Sequence, residues 1–309
     1  MQTDTPTAGA QHRGARLGKP RLLIVGCGKV GLEIVARLHR RFRIFATTTS
    51  REHFAQLRRA GAVPIVFNLD GRRERPIAGL AARAICLVPP AAEPIADHRV
   101  ARLLRSLQHP PSHLVYVSTT GVYGDRHGGR VDETARPAPI TERARRRLAS
   151  ELRARSHPWH AAVLRVPGIY GPERLPLDRL RRTMPAPLPA EDVLTNHIHV
   201  EDLGGVCIAA LFRSEPRRIY NAVDDSCLHL GEYLDLVADR FGLPRPPRLA
   251  REALRAAVST IQFSFFQESR RLSNRRMKQE LRVRLHYPTA RDGVDSIAAA
   301  ATSKTTMHC

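Results

Sequence analysis

Lysine, aromatic residues and long apolar runs are scarce in this chain of 309 residues. Lysine provides only four of the 50 basic residues, and Phe, Trp and Tyr together make up 5% of the sequence. The remaining basic residues are arginines, which are spread from end to end and bring the formal net charge to +21. Because they form no stripe and are not interleaved with aromatic residues, no specific nucleic-acid partner is expected. Weak adhesion to polyanions that disappears with salt is expected instead.

Apolar segments and cysteine pairs are missing as well. No run of 18 apolar residues occurs, which argues against a bilayer-spanning helix, and the first 20 residues lack the apolar core of a secretory signal. These absences predict a cytoplasmic protein with no membrane partner. An odd number of cysteines without a Cys-x-x-Cys motif predicts reduced thiols and no metal site; they are Cys27, Cys86, Cys207, Cys227 and Cys309.

Short apolar runs alternate with segments of helical period between residues 21 and 222. Apolar side chains recur at helical spacing over 31–40 and 99–107. This alternation predicts an α/β fold of the Rossmann type, with a doubly wound parallel sheet. The seven candidate strands are 21–25, 43–47, 63–67, 84–88, 113–118, 160–166 and 217–223.

The same pattern predicts the domain organisation. Prolines and amphipathic segments interrupt the strand–helix alternation after residue 166. We expect a mainly helical lobe for the substrate there, covering the carboxyl edge of the sheet. The predicted parts are a tail at 1–19, a dinucleotide-binding domain at 20–166 with a returning strand at 217–223, the lobe at 167–296, and a tail at 297–309.

A glycine-rich loop directly follows the first candidate strand. Its sequence, Gly26-Cys27-Gly28-Lys29-Val30-Gly31, has the G-x-G-x-x-G spacing and opens a predicted helix. The first glycine allows a tight turn, the second lets backbone N–H groups approach a pyrophosphate, and the third allows close packing of helix on strand. The strand before the loop and the helix after it predict dinucleotide binding rather than a merely tight turn.

The end of the second strand bears on the choice of cofactor. An NAD enzyme usually carries an acid there, whereas this chain continues as Thr47-Thr48-Thr49-Ser50-Arg51. Hydroxyls and a guanidinium can hold a 2′-phosphate, which a carboxylate would repel. NADP is therefore expected in preference to NAD, unless Arg51 is simply a solvated residue at a helix start.

Two further strand ends are expected beside the cofactor. Asp70 follows the third strand, where an adenine-contacting acid commonly lies, although Asp70-Gly71 is equally a plain turn. Val88 ends the fourth candidate strand, and Pro89 follows it. All three are counted among the candidate cofactor-binding residues.

Five sequence blocks together carry a family resemblance. Four are VSTTGVYGD at 117–125, LRVPGIYGP at 164–172, NHIHVEDL at 196–203 and IYNAVDD at 219–225; the fifth combines Ser273-Asn274-Arg275-Arg276 with a Tyr-Pro-x-x-x-x-Gly stretch at 287–293. In this order they resemble the extended short-chain dehydrogenase/reductase superfamily. More narrowly, they are similar to its atypical branch of NAD(P)-dependent epimerase/dehydratase-like proteins. The resemblance covers about residues 20 to 295.

The resemblance implies positions for several site residues. Thr119 takes the place of the catalytic Ser or Thr, whose hydroxyl polarises a substrate oxygen beside nicotinamide C4. The alternative for Thr119 is a plain ST-turn that closes the fifth strand. Pro167 and Gly168 lie in the segment that borders the nicotinamide in the family.

The chain departs from the family at the general acid/base. The family uses the Tyr of a Tyr-x-x-x-Lys pair, but no Tyr or Lys occurs from 124 to 169. Alignment on Glu151 puts Arg143 at the Tyr position and Arg147 at the Lys position. Arginine does not exchange its proton near neutral pH, so the usual proton relay is absent.

Three other residues are candidate proton donors. Tyr123 lies one turn beyond Thr119, and Tyr170 follows the Pro167-Gly168 segment, but each is more simply a packing tyrosine. His199 matches a family position that lines the substrate cleft, and it is the best alternative acid/base because histidine titrates in the useful range. Asp202 is expected to cap the following helix.

Three functions remain open at this point. The first is an NADP-dependent oxidoreductase or epimerase-like enzyme for a small hydroxylated or nucleotide-linked substrate. The second is a catalytically inactive NADP-binding sensor or regulatory protein, which the missing Tyr and Lys favour. The third, nucleic-acid binding through the arginines, lacks any recognised motif. The resemblance also leaves open a homodimer, which helices of this superfamily often form.

Overall fold

The fold was analysed in a computed structural model of the chain. The structure describes residues 18–71, 77, 79–91, 98–107, 111–156 and 160–306. The strands are β1 (Arg21–Val25), β2 (Arg43–Thr48), β3 (Ala62–Val66), β4 (Arg83–Cys86), β5 (His113–Thr119), β6 (Arg130–Val131), β7 (His160–Val166), β8 (Gly168–Tyr170), β9 (Ala186–Pro187), β10 (Leu194–Thr195), β11 (His197–His199), β12 (Ile219–Asn221), β13 (Leu228–His229), β14 (Arg248–Leu249) and β15 (Arg271–Leu272).

Helices lie between most of these strands. They are α1 (Lys29–Leu38), α2 (Phe54–Arg59), α3 (His98–Ser106), α4 (Glu142–Ser156), α5 (Leu177–Arg181), α6 (Val200–Arg213), α7 (Leu230–Arg240), α8 (Arg251–Ala257), α9 (Thr260–Ser264), α10 (Arg275–Glu280) and α11 (Ala290–Thr306). No helix in the described ranges is both long enough and apolar enough to cross a membrane.

Seven parallel strands form the central sheet, in the order β12-β7-β5-β4-β1-β2-β3. They are the seven strands that the apolar runs predict, and the Rossmann-type α/β fold is confirmed. Most of these strands bury both faces, which is why their segments are almost continuously apolar, whereas the edge strand β3 exposes Val63 and Val66. On β1, Leu22 and Ile24 join one core cluster while Leu23 and Val25 join the other.

The strand order reverses between β1 and β4. The chain leaves β1 toward β2 and β3 on one side, and later strands add to the other side. At such a switch point the loops diverge and leave a crevice at the carboxyl ends of the strands. The fold therefore places a ligand cleft between the loop after β1 and the ends of β4 and β5.

Two helix layers cover the sheet. Helices α1 and α6 pack on one face through Ile34, Val35, Leu203 and Val206, and α3 and α4 pack on the other. Gly204 allows the first pair to approach closely, since a Cβ there would lie 2.9 Å from Cβ of Glu33.

A separate apolar cluster forms the core of the lobe. It joins Tyr170 to residues of α5, α7 and α11, including Leu180, Tyr233 and Val294. The predicted C-terminal tail at 297 instead falls inside α11, which continues to Thr306 and buries Ile297. Most of the predicted N-terminal tail, residues 1–17, lies outside the described residues.

The start of α6 corrects the expectation for Asp202. The helix begins at Val200, and His199 is its N-cap, with Nδ1 accepting from the Glu201 N–H at 3.3 Å. Asp202 instead accepts hydrogen bonds from the backbone N–H groups of His286 (2.7 Å) and Tyr287 (2.9 Å). Asp202 lies inside the first turn of α6 rather than ahead of it. Its carboxylate connects the segment before α11 to this helix.

Candidate functional site

The glycine loop after β1 is held by the end of β2. Gly26 has a φ of 81°, and a Cβ there would lie 2.7 Å from Cγ2 of Val88, so the position requires glycine. The Gly26 N–H donates to Oγ1 of Thr47 at 2.9 Å, and the Cys27 N–H donates to the Thr47 carbonyl at 3.0 Å. Thr47 thus fixes the turn that leads into α1.

Gly28 lies over open space at the start of α1. No atom lies within 4 Å of a Cβ built on it, whereas a Cβ on Gly31 would meet Sγ of Cys27 at 2.7 Å. The first turn of α1 contains no acidic residue, and its N–H groups have no partner within the helix. The loop therefore fits the pyrophosphate of a dinucleotide, for which a bare glycine beside a helix N-terminus leaves room.

The residues after β2 divide into structural and exposed ones. Thr47 is buried and used by the glycine loop, so the expectation that its hydroxyl meets a 2′-phosphate is wrong. Thr48 Oγ1 donates to the Ser50 carbonyl at 3.3 Å, and Ser50 Oγ accepts from the Glu52 N–H at 3.2 Å. Thr49 and Arg51 are exposed beside this turn.

The ends of β3 and β4 are connected through arginine. The Asp70 carboxylate accepts from Arg99 Nε at 2.8 Å and lies 3.0 Å from Nε2 of His98; the hydrogen bond from Arg99 is the main reason that its pKa is lowered. Arg99 Nη1 also donates to the carbonyl of Pro89 at 3.1 Å. Asp70 therefore anchors α3 to the end of β3, while Val88 packs on Gly26.

Thr119 ends β5 inside the cleft. Its Oγ1 accepts a hydrogen bond from the Gly121 N–H at 3.3 Å, which is the ST-turn considered in the sequence. The hydroxyl is partly exposed and lines the cleft together with Gly28. Because this turn uses Oγ1 only as an acceptor, the O–H hydrogen remains available to a substrate oxygen.

Arg147 is buried at the inner wall of the cleft. Its Nη1 donates to the carbonyls of Val88 (2.9 Å) and Val117 (3.0 Å) and to the Tyr116 hydroxyl (3.0 Å). These acceptors come from β5 and from the segment after β4, so the guanidinium bridges the two strand ends. Arg143, one helical turn earlier, also lines the cleft but is exposed.

A buried ion pair lies behind this wall. Glu151 accepts from Arg165 Nη2 at 2.8 Å and from Ser118 Oγ at 2.5 Å, and both charged side chains are at most 2% exposed. In the sequence, Glu151 serves only to align the family motif, and its pairing with Arg165 is not predicted. A charged residue inside an otherwise apolar strand was the available signal for the partner of Glu151. Arg165 is such a residue, since it interrupts the apolar run of β7.

The two tyrosine candidates are both packed in the interior. Tyr123 donates to Oδ1 of Asn221 at 2.8 Å and lies under the guanidinium of Arg165, and burial raises its pKa. Tyr170 donates to the Thr289 carbonyl at 3.2 Å, and burial raises its pKa strongly. The Tyr123 phenol is bonded to β12 of the sheet and the Tyr170 phenol to the segment before α11, as the packing alternative for each predicts.

The two histidines of β11 are buried in the lobe. Burial lowers the pKa of His199 to about 4 and that of His197 to about 3, so both rings are neutral near pH 7. His199 packs against the Tyr287 ring at a centroid distance of 4.1 Å, and its Nε2 has no hydrogen-bond partner among the described residues. The ring lies outside the lining of the cleft.

The cleft brings together much of the predicted site. The predicted residues in its lining are Gly26, Gly28, Lys29, Val30, Gly31, Thr119, Arg143, Arg147 and Pro167. Gly168 lies next to Pro167 in β8 and pairs with His197 of β11. Sequence reasoning missed Ser118, which lies inside the block at 117–125, and Arg174, which lies two residues beyond the block at 164–172.

Similarity to known proteins is found among solved structures. No protein-family model and no curated protein matches the chain. Among solved structures, a functionally unknown conserved protein from Silicibacter pomeroyi is 30% identical, with a TM-score of 0.77, covering 91% of this chain and 99% of that one. A Methylobacillus flagellatus protein described as an NAD-dependent epimerase/dehydratase is 25% identical, with a TM-score of 0.71, covering 92% and 100%.

A more distant structure shows the same fold. The human epimerase family protein SDR39U1, solved with NADPH, is 17% identical, with a TM-score of 0.68, covering 90% of this chain and 99% of that one. The sheet order and these similarities over nearly the whole chain agree with the resemblance of the five sequence blocks. The chain belongs to the extended short-chain dehydrogenase/reductase superfamily, in its branch of NAD(P)-dependent epimerase/dehydratase-like proteins.

Proposed function

We propose that the protein binds NADP in preference to NAD and catalyses an oxidoreductase or epimerase-like reaction on a small molecule with a carbonyl or hydroxyl group. The open space over Gly28 and the free helix N-terminus support binding of the pyrophosphate. The exposed Arg51 and the lack of an acid at the end of β2 support the choice of NADP.

One observation carries the catalytic part of the proposal. The Thr119 hydroxyl lines the same cleft as the glycine loop, and its oxygen is oriented by the Gly121 N–H. A bound nicotinamide would supply a hydride donor or acceptor at its C4. Thr119 would then donate its hydrogen to the substrate oxygen and stabilise the negative charge that grows there.

The proton in this reaction comes from solvent water. Arg143 and Arg147 cannot deliver it, because arginine keeps its proton near neutral pH. His199 is outside the cleft lining, and Tyr123 is bonded to Asn221. Thr119 is partly exposed, so water can reach its hydroxyl and pass a proton to the substrate oxygen. Such a relay works without the usual Tyr-Lys pair, but it gives up part of the rate that a positioned acid provides.

The second candidate function is a cofactor-binding sensor without turnover. It is favoured by the lining of the cleft, in which the described residues include no histidine, cysteine, tyrosine or carboxylate. An ordinary acid/base is therefore absent from the walls that would surround the nicotinamide.

Replacement of Thr119 separates the two functions. We expect Thr119→Val to lower the turnover of NADPH with a panel of small carbonyl compounds by roughly 10²-fold or more, as loss of a hydrogen-bond donor at a developing oxyanion does. Thr119→Ser retains the hydroxyl and should keep most of the rate. If the wild-type protein binds NADPH but no compound is turned over, and Thr119→Val leaves cellular function intact, the sensor takes the place of the enzyme.

A further inference from the structure

The cleft carries an excess of positive charge that its own side chains do not neutralise. Lys29, Arg143, Arg147 and Arg174 line it, and none of its described lining residues is acidic. Only Lys29 has a nearby carboxylate, that of Glu173 at 2.5 Å on the surface. Unbalanced cations at the wall of a cleft attract an anionic ligand.

Arg147 is the most constrained of these cations. It is 8% exposed, and the acceptors of its Nη1 are two carbonyls and a hydroxyl, which carry no charge. They fix the plane of the guanidinium, while Nε and Nη2 have no acceptor in the described part of the chain. A buried cation without a counter-ion is costly, so an oxyanion at these two donors would be strongly favoured.

The chain offers a counter-ion but directs it elsewhere. Glu151 follows Arg147 by four residues on α4, the spacing at which opposite charges normally pair along a helix. Its carboxylate is instead bonded to Arg165 and to Ser118. Arg147 therefore has no charged partner among the described residues.

Arg143 adds a second guanidinium on the same side of α4. It lies one helical turn from Arg147, and its side chain has no hydrogen-bond or ion-pair partner within the described ranges. Desolvation at the cleft wall, followed by the charges of Arg147 and Arg146, lowers its pKa. The two cations thus repel each other, and an anion between them would relieve that repulsion.

The phosphates of a dinucleotide have their own places. The pyrophosphate belongs at the start of α1, and a 2′-phosphate belongs at the end of β2. In the sheet order, β2 lies on one side of β1, whereas the strand ends bridged by Arg147 lie on the other. The Arg143–Arg147 pair therefore faces the nicotinamide and substrate half of the cleft, next to Thr119.

We propose that the Arg143–Arg147 pair binds an oxyanion of the substrate, so that the molecule acted on is a small oxo or hydroxy compound bearing a carboxylate or a phosphate ester. This rests on the proposed function, because it names the substrate class for that same cleft. The forked donors would hold the oxyanion, and the carbonyl or hydroxyl to be transformed would meet Thr119. The pair is a specificity-determining element that occupies the place of the family's proton relay.

Calorimetric titration of small probe anions tests this proposal. Malonate and inorganic phosphate are titrated into the protein with and without saturating NADP, and malonamide serves as the neutral control. The wild-type protein should bind one of the two anions and should not bind malonamide. Preference for malonate identifies a carboxylate substrate, and preference for phosphate identifies a phosphate ester.

Variants of α4 give the decisive comparison. Arg143→Gln should weaken the anion by roughly tenfold or more, the loss expected for a charge-assisted hydrogen bond. Arg145→Gln is the matched control, because Arg145 is exposed on the same helix and lies outside the cleft lining. Arg147→Lys keeps the charge but loses the fork and should also weaken the anion. Since Arg143 has an exposed side chain, its variant is expected to fold even if that of Arg147 is destabilised.

Three outcomes would overturn the proposal. The first is that no anion binds to the wild-type protein, and the second is that anion affinity is unchanged in Arg143→Gln. The third is that this variant loses NADP affinity by the same factor, which would assign the pair to the cofactor. Failure of the proposed function gives a different result. In that case neither NADPH nor NADH binds, while the titration on the cofactor-free protein still decides whether the arginine pair holds an anion.

Discussion

Glu151 pairs with Arg165 across the interior and leaves Arg147, its neighbour one helical turn away, to neutral acceptors. The pair joins α4 to β7 behind the cleft, and Ser118 next to Thr119 donates to the same carboxylate. The wall that presents Thr119 therefore depends on a salt bridge that has almost no contact with solvent.

Removal of the Glu151 charge should destabilise the fold. We expect Glu151→Gln to lower the free energy of unfolding by about 3 kcal/mol, because Arg165 is left as an uncompensated buried charge. Urea denaturation followed by circular dichroism measures the change. Glu142→Gln on the same helix is the control: its partner Arg146 is 3.5 Å away and Glu142 is 67% exposed, so a loss below about 1 kcal/mol is expected. Equal losses in the two variants would contradict the importance of burial.

Two glycines of the loop should respond in opposite ways to substitution. Gly28→Val should leave the thermal stability close to that of the wild type and abolish binding of both NADPH and NADH, because the side chain enters open space that the pyrophosphate needs. Gly26→Ala should instead lower the melting temperature, since the position combines a positive φ with a 2.7 Å approach to Val88. Melting curves and fluorescence titration with each nucleotide distinguish the two effects. Retained nucleotide binding by Gly28→Val would argue against the loop as the pyrophosphate site.

Arg51 should set the preference between the two nicotinamide cofactors. Arg51→Ala is expected to weaken NADPH by roughly tenfold and to leave NADH unchanged, because only NADPH carries the 2′-phosphate. Fluorescence titration of both nucleotides measures the ratio. Arg59→Ala tests the general effect of losing one exposed arginine nearby, on α2. If the wild-type protein binds NADH as tightly as NADPH, the interpretation that the end of β2 selects NADP is incorrect.

The buried histidines should make the fold sensitive to acid. His197 and His199 have pKa values lowered by burial to about 3 and about 4, whereas an unfolded histidine titrates near 6.5. Between pH 6.5 and about 4, the unfolded chain takes up protons that the folded chain does not, so stability falls as the pH falls. His197→Gln should flatten this dependence by about 1.4 kcal/mol per pH unit, measured from urea midpoints at several pH values.

Asp224 should oppose the histidines in the same experiment. Burial raises its pKa to about 7, so between its ordinary value of 3.8 and that value the folded protein retains a proton that the unfolded chain releases. Its contribution to stability therefore declines as the pH rises through this window. Asp224→Asn should remove this term and steepen the loss of stability toward acid. An unchanged slope in both variants would show that neither group has a shifted pKa in solution.

The sheet could be predicted from the sequence because most of its strands are buried on both faces. Runs such as those of β1 and β5 have no polar alternation that would compete with the strand prediction, and each is bounded by turn residues. Element ends were less predictable. His199 rather than Asp202 caps α6, because the Asp202 carboxylate accepts from the backbone N–H groups of His286 and Tyr287, which are distant in sequence.

The site could be predicted only where its residues directly follow the end of a strand. The glycine loop and Thr119 follow strand ends directly, so their spacing along the chain places them in the cleft. The roles of His199 and Thr47 depended on partners distant in sequence: burial against Tyr287 in one case, and the Gly26 N–H in the other. No local pattern encodes such contacts, which arise only when separate elements pack together.

The hydrogen bonds from Gly26 and Cys27 to Thr47 also bear on the thermodynamics of ligand capture. With the Gly28 N–H, which donates to the Gly26 carbonyl, three N–H groups of the loop are satisfied within the protein, and those of Lys29, Val30 and Gly31 remain at the open end of α1. A phosphate that binds there would therefore meet a loop whose backbone is already held in place. Little conformational entropy would then be lost on binding. The affinity would depend on the donors that face the ligand rather than on ordering of the loop.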